Sequence, residues 1–150
     1  MLTVDRSNYA PRNPYTDAPQ PIGHQATISA PHMHAHALEL LSKHLQPGMR
    51  ALDVGCGSGY LAAVMARMVG VEGKVVAMDY LSPLVALSLE NLRKTDADLI
   101  DSGTLQVEQG DGWKGFEKAS PYDSIHVGAA AEHLDFKRLW NAGWSPFLTS

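Results

Sequence analysis

The chain has 150 residues, 45% of them hydrophobic, and a formal net charge of −4 at pH 7. This length and apolar content predict one domain with a sizeable core. The net negative charge argues against binding to nucleic acid, which requires a basic surface. No apolar run approaches the roughly 18 residues of a membrane span. The start of the chain carries no hydrophobic signal core, and the single cysteine, Cys56, suits a reducing compartment, so we expect a cytosolic (cytoplasmic) protein.

The first 25 residues predict an extended arm. Four prolines lie between Pro11 and Gly23 and disfavour a helix there. Tyr9, Tyr15 and Ile22 give the arm an amphipathic character, which favours a packed loop over a mobile one.

A helix is predicted to follow this arm. Ser29 is a candidate N-cap, Pro31 is tolerated in a first turn, and residues 46–48 (Gln-Pro-Gly) end the helical pattern. The apolar residues at helical spacing predict the face that enters the core: Met33, Ala37, Leu40, Leu41 and Leu45.

Three histidines on this helix raise the alternative of a metal site. His32, His34 and His36 are two residues apart, and such positions point about 200° away from each other on a helix. Only His32 and His36 share a face, and the sequence offers them no carboxylate at ligand spacing. We therefore predict no metal site.

The central motif is a short apolar run that ends in an acid and three alternating glycines, residues 50–60. With the amphipathic segment 61–69 it predicts a strand, a glycine turn and a helix, the arrangement that opens nucleotide sites in α/β proteins. A dinucleotide-binding fingerprint would need glycine at position 60, which is Tyr60, so an NAD-dependent dehydrogenase is a remote alternative. The Gly-x-Gly-x-Gly pattern resembles the S-adenosyl-L-methionine (AdoMet) loop of class I methyltransferases. The alternative interpretation of the glycines is a tight turn between strand and helix that binds no ligand.

The following elements alternate in the same way. Residues 74–79 form an almost wholly apolar run, typical of a strand buried on both faces, and its terminal Asp79 is placed to accept hydrogen bonds from ribose hydroxyls. A turn or N-cap role is the alternative for Asp79. A helix over 82–94, a third strand over 104–109 and a fourth over 125–131 complete βαβ units, which predict a parallel sheet.

Beyond the glycine loop, much of the chain resembles the protein-L-isoaspartate (D-aspartate) O-methyltransferase family. The most specific stretch is Gln25-Ala26-Thr27-Ile28-Ser29-Ala30-Pro31-His32-Met33-His34, and the resemblance covers about residues 1–131. The other matching stretches are Val4-Asp5-Arg6 with Tyr9, Pro14-Tyr15, Ile22-Gly23, Leu52-Asp53-Val54-Gly55, Gly57-Ser58-Gly59-Tyr60, Gly110-Asp111-Gly112, and Tyr122-Asp123 with Ile125-His126-Val127-Gly128-Ala129-Ala130-Ala131.

The resemblance implies a Rossmann-like α/β class I methyltransferase fold, with a parallel, doubly wound sheet that is incomplete at its C-terminal side. We expect one domain over 1–150, made of an arm (1–25), a cofactor-binding core (26–131) and a divergent tail (132–150). The implied reaction transfers a methyl group from AdoMet to the free carboxylate of L-isoaspartyl or D-aspartyl residues in damaged proteins, leaving S-adenosyl-L-homocysteine (AdoHcy). A catalytically silent form that only binds cofactor or regulates is the alternative.

The resemblance also assigns site residues. Ser29 is the implied catalytic serine, and orienting an acceptor carboxylate suits its hydroxyl, because an acceptor that is already anionic needs no strong base. The residues implied in holding the cofactor and lining the site are Ala26, Thr27, Ile28, Ser29, His34, Gly55, Gly57, Ser58, Gly59, Asp79, Tyr80, Asp111 and Gly112.

Isoaspartyl-containing proteins and peptides are the expected partners, and a complete family member is expected to be a monomer. Family members continue after residue 131 with further strands, so here the strand over 125–131 would be left as an apolar edge. Such an edge invites pairing with other chains. We predict low solubility, self-association or poor stability unless Trp140, Trp144 and Phe147 fold back over the edge; a monodisperse monomer with a cooperative melt would contradict this.

Overall fold

A computed structural model describes residues 3–129, and its centre is a four-stranded parallel sheet. The strands are β3 (Arg50–Val54), β4 (Lys74–Asp79), β5 (Leu105–Gln109) and β6 (Ser124–Val127), in the order β5-β4-β3-β6. Leu52 at the centre of β3 pairs with Val76 on one side and Ile125 on the other. The predicted Rossmann-like parallel sheet is thereby confirmed. The last two residues predicted for the fourth strand, 130 and 131, and the tail 132–150 lie outside the described residues.

The helices pack on one face of this sheet. They are α1 (Pro31–Leu41), α2 (Tyr60–Val69), α3 (Ser82–Thr95) and the short α4 (Ala97–Asp101), which the sequence reading did not anticipate. Their apolar side chains join one large cluster, whereas the opposite face, around Leu52 and Val76, packs against the loop that carries Phe116, Ala119 and Tyr122. Within residues 3–129, none of these helices is long and apolar enough to cross a membrane.

The arm is more ordered than an extended loop. Its end forms a hairpin of β1 (Gln20–Gly23) and β2 (Ala26–Ile28), in which Gly23, His24 and Gln25 take positive φ angles at the turn. Tyr9 and Ile22 are buried, as a packed arm requires, but Tyr15 is 70% exposed. The hairpin delivers the segment from Ala26 onward to the sheet edge where the site lies.

The N-terminus of α1 corrects one prediction. Ala30, not Ser29, is the N-cap, and it makes no side-chain capping hydrogen bond. The backbone N–H of His32 instead donates to Oδ1 of Asp17 at 3.0 Å, and the His32 ring lies 2.7 Å from the same oxygen. The prediction for Ser29 as N-cap was wrong because the arm supplies the carboxylate for this helix end from 15 residues away in sequence.

The buried face of α1 also differs from the predicted one. Met33 and Leu40 are 53% and 45% exposed, whereas His34, Leu38 and Leu41 are buried. The buried face of α1 is rotated relative to the predicted one because His34 points inward, where it has Arg6 as a hydrogen-bond partner and Tyr60 as an aromatic neighbour. The spacing of apolar residues alone does not reveal these contacts. Leu41 and Leu45 are buried as predicted, although the α-helix itself ends at Leu41 and continues as a 3₁₀ turn.

We expect Tyr9→Phe to lower the free energy of unfolding by about 1–3 kcal/mol, the usual cost of removing one hydrogen bond to a buried charged acceptor. The Tyr9 hydroxyl donates to Oδ2 of Asp96 at 2.6 Å, and both residues are almost fully buried. Urea unfolding at pH 7 measures the difference. Tyr15→Phe is the matched control, because its hydroxyl donates to Asp5 at 2.7 Å on the exposed surface. Equal losses in the two variants would contradict the expectation.

Candidate functional site

The turn between β3 and α2 has the backbone that its glycines allow. Gly55, Gly57 and Gly59 have φ angles of +81°, +53° and +85°, in the left-handed region that other residues rarely adopt. The alternating pattern seen in the sequence therefore corresponds to three left-handed residues in five. This conformation turns the chain sharply at the end of the strand and leaves an open surface above the sheet.

Hydrogen bonds hold this loop on both sides. The N–H groups of Gly55 and Cys56 donate to the carbonyl of Met78 at 2.8 and 3.0 Å. From α3, the Ser88 hydroxyl donates to the Gly57 carbonyl at 2.7 Å, and the Asn91 side chain donates to the Ser58 carbonyl at 3.1 Å. The loop is thus fixed by β4 and α3 before any ligand is present.

A cavity of about 660 Å³ opens where the carboxyl ends of the strands meet. The strand order reverses at this place: β4 and β5 follow on one side of β3, whereas β6 lies on the other side of β3. Open α/β sheets bind their ligands at such a reversal point. The structure brings eight of the predicted residues to this cavity: Ala26, Thr27, Gly55, Gly57, Asp79, Tyr80, Asp111 and Gly112.

Sequence reasoning missed several other lining residues of the large cavity. They are Gln25, Val54, Met78, Leu84, Gly110, Trp113, Val127, Gly128 and Ala129. Most lie at or just after the end of a strand, so the rule that ligands bind at the carboxyl ends of parallel strands would have found them. Apolar side chains and an indole among them give the cavity walls suited to a flat ring.

Asp79 lies at the tip of β4, between the glycine loop and the cavity. Its Oδ2 accepts a hydrogen bond from the Gly57 N–H at 3.1 Å, and its Oδ1 accepts one from the Leu81 N–H at 3.2 Å. A carboxylate has about four acceptor positions, so two backbone donors leave acceptor capacity toward the cavity. The side chain can therefore fix the loop and bind hydroxyl groups of a ligand together.

A smaller polar cavity of about 40 Å³ adjoins the large one. Four of the predicted residues line it and are not on the large cavity: Ile28, Ser29, His34 and Ser58. Thr27 and Gly57 line both cavities, so the segment carrying Ser29 and the glycine loop meet at one place. Gly59 lies outside both linings and serves as the N-cap of α2.

Buried Asp53 and partly buried His126 form a pair at the smaller cavity that the sequence reading did not assign. Nδ1 of His126 lies 2.8 Å from Oδ1 of Asp53, and Oδ2 of Asp53 has no hydrogen-bond partner among residues 3–129. Burial alone would lower the pKa of His126, but the hydrogen bond and charge of Asp53 outweigh it and raise that pKa. The pair joins the ends of β3 and β6, which are adjacent strands 73 residues apart in sequence.

The pKa of His34 is shifted in the opposite direction to that of His126. Burial, with a smaller contribution from the charge of Arg6, lowers its pKa to about 4. Its Nδ1 lies 3.0 Å from Nη1 of Arg6, and its ring is tilted against that of Tyr60 with centroids 5.2 Å apart. His34 is therefore a neutral imidazole at pH 7.

This shift predicts a pH dependence of stability. The folded-state pKa of His34 lies below the ordinary value of 6.5, so the unfolded chain takes up a proton first as the pH falls, and stability is lost between pH 6.5 and about 4. We expect His34→Asn, whose amide oxygen can still accept from Arg6, to remove up to about 3 kcal/mol of this loss. Unfolding free energies measured across this window test it. His36→Asn, exposed on the same helix, is the matched control for the substitution itself, and a His34→Asn slope equal to wild type would contradict the expectation.

Comparison with known proteins agrees with this geometry. The profile of the protein-L-isoaspartate (D-aspartate) O-methyltransferase family matches residues 1–137. A protein-L-isoaspartate O-methyltransferase of Caenorhabditis elegans is 52% identical over 132 residues, covering 88% of this chain and 59% of the relative. One from Triticum aestivum is 54% identical over 137 residues, covering 89% and 60%.

Solved structures give the same result. A Plasmodium falciparum structure described as a protein-L-isoaspartate O-methyltransferase in complex with AdoHcy matches with a TM-score of 0.85 and 38% identity, covering 92% of this chain and 67% of that one. The chain spans about 60% of the length of the curated relatives named above. With the family profile matched over most of its length and the glycine loop, the Ser29 segment and Asp79 gathered at one sheet edge, the chain belongs to the protein-L-isoaspartate (D-aspartate) O-methyltransferase family.

Proposed function

We propose that the protein transfers a methyl group from AdoMet to the free carboxylate of L-isoaspartyl or D-aspartyl residues in damaged proteins and peptides. The observation that carries this proposal is the junction of the two cavities. The segment that the family resemblance assigns to the acceptor, around Ser29, shares Thr27 and Gly57 with the cavity that would hold the cofactor. Donor and acceptor sites in contact are what a direct transfer between two bound molecules requires.

The residues present fit AdoMet as the cofactor. The large cavity has the volume of a typical small-molecule site, and glycines with open backbone lie along one wall. Asp79 offers carboxylate oxygens to ribose hydroxyls, and Trp113 and Leu84 offer apolar surface to a purine ring. When bound, AdoMet supplies a methyl group activated by a positively charged sulfur.

The chain's own residues have to bind and orient the acceptor. An isoaspartyl carboxylate is ionised at pH 7, so its oxygen is already nucleophilic and no side chain needs to remove a proton. Ser29 is exposed at the mouth of the small cavity, where its hydroxyl can donate a hydrogen bond to that carboxylate. His34, neutral and buried behind it, adds a second polar group to the same cavity. In this arrangement the rate comes from alignment rather than from acid–base chemistry.

Two measurements on the purified chain test the proposal. Calorimetric titration with AdoHcy should show binding to one site per chain. Methyl transfer from radiolabelled AdoMet should occur to a peptide with one isoaspartyl residue and should be absent for the same peptide with normal aspartate. Binding without transfer would instead favour the silent cofactor-binding form, and absence of both would overturn the proposal.

A further inference from the structure

Arg6 is a buried cation on the N-terminal 3₁₀ turn Arg6–Asn8. The residue is only 4% exposed, and within residues 3–129 no carboxylate lies at ion-pair distance from it. Its Nε–H also has no hydrogen-bond partner among those residues. Burying a cation in this way costs free energy, so packing alone does not explain why an arginine stands at this position.

The two ends of the guanidinium contact the proposed acceptor segment instead. Nη2 donates a hydrogen bond to the backbone carbonyl of Ser29, and Nη1 donates to Nδ1 of His34 at 3.0 Å. The planar group lies over the ring of Tyr60, with its central carbon 5.1 Å from the ring centroid. Tyr60 is the first residue of α2, directly after the glycine loop. One side chain of the arm thus joins the Ser29 backbone, the α1 histidine and the end of the glycine loop.

This contact determines where the His34 proton lies. A guanidinium has only donors, so Nδ1 of His34 must present its lone pair to Arg6. The imidazole is neutral, so its remaining proton is on Nε2. His34 lines the small cavity together with Ser29 and Ser58. Arg6 therefore makes His34 a hydrogen-bond donor, which is the polarity that an anionic acceptor needs.

We infer that Arg6 is a positioning residue for the acceptor site: it fixes the backbone that carries the Ser29 hydroxyl and holds His34 in the Nε2–H tautomer. This inference rests on the proposed function, because it assigns a role within the same reaction. Arg6 does not line either cavity, so it acts through Ser29 and His34 and not by touching a ligand. Ser29, His34 and Tyr60 do not line the large cavity, so the main effect of Arg6 should be on the acceptor site rather than on cofactor binding.

The test uses Arg6→Lys and Arg6→Gln, which keep a donor but cannot span both partners. We expect each variant to raise KM for the isoaspartyl peptide about tenfold or more, the equivalent of one hydrogen bond to a charged group, with AdoHcy affinity within about twofold of wild type. Nitrogen NMR of the His34 ring should show Nε2 protonated in the wild-type chain and a mixture of tautomers in the variants. Asn8→Ala is the matched control, since Asn8 is on the same turn but donates to Thr95 at 3.0 Å on the exposed surface.

Several results would overturn the inference. The first is a wild-type His34 ring protonated on Nδ1, which needs no variant and no substrate to measure. The second is a wild-type KM in both Arg6 variants, and the third is a parallel loss of AdoHcy affinity, because general destabilisation would weaken both sites. Absence of methyl transfer by the wild-type chain would count against the proposed function alone, since the tautomer and AdoHcy affinity are read without turnover.

Discussion

Asp79→Ala should weaken AdoHcy binding about 100-fold, because the substitution removes a charged acceptor worth about 1.5–3 kcal/mol for each hydrogen bond that it makes. In the structure the carboxylate accepts from the N–H groups of Gly57 and Leu81 and lines the large cavity. The ribose hydroxyls of the proposed cofactor would add further donors. Loss of the side chain removes both the ligand contacts and the bond that holds Gly57.

Asp79→Asn separates these two contributions. Its amide oxygen can still accept from one backbone donor, so the loop is held in part while the charge is lost, and we expect about tenfold weaker binding. Calorimetry with AdoHcy measures both variants. Asp101→Asn, exposed at the end of α4, removes the same charge at a distance from the cavity and should bind AdoHcy as wild type does. An affinity within twofold of wild type for Asp79→Ala would exclude Asp79 from the cofactor site.

The parallel sheet could be predicted from the sequence because its signals are local. The run from Lys74 to Asp79 is apolar on both faces, since helices cover one side and a loop the other, and burial of both faces removes the polar alternation of a half-exposed strand. The three alternating glycines indicate the turn equally directly, because left-handed backbone is costly for other residues. The large cavity can be located from three local features: strand β3, the glycine turn that follows it, and Asp79 at the end of β4.

What the sequence could not predict depends on contacts between distant segments. The carboxylate of Asp17 caps α1 from the arm, so the local pattern wrongly favoured Ser29. The buried face of α1 is likewise decided by Arg6, which gives His34 a partner in the interior. The Asp53–His126 pair exists only because β3 and β6 are neighbours in the sheet. In each case a polar side chain finds its partner in a segment remote in sequence, on the exposed surface for Asp17 and in the interior for His34 and Asp53.

Gly55→Ala should lower the free energy of unfolding by roughly 2–4 kcal/mol, from left-handed strain and steric overlap together. The φ angle of Gly55 is +81°, and a Cβ atom there would lie 2.9 Å from both the backbone nitrogen and Cβ of Ala129. The backbone nitrogen cannot rotate away as the end of a flexible side chain can. Either β3 or the segment after β6 has to move, and both contribute to the walls of the large cavity. AdoHcy binding should therefore weaken at least about tenfold, which is about 1.4 kcal/mol.

Gly48→Ala is the control that separates strain from overlap. Gly48 has a φ angle of +88°, but an added Cβ would meet no atom within 4 Å. It should cost only the left-handed strain, about 1–2 kcal/mol, and should leave AdoHcy affinity unchanged. Thermal or urea unfolding of both variants, with calorimetry, gives the comparison. Equal destabilisation with unchanged affinity in both variants would contradict the expectation. It would mean that the backbone at Ala129 moves away from the added Cβ at little cost and without changing the cavity.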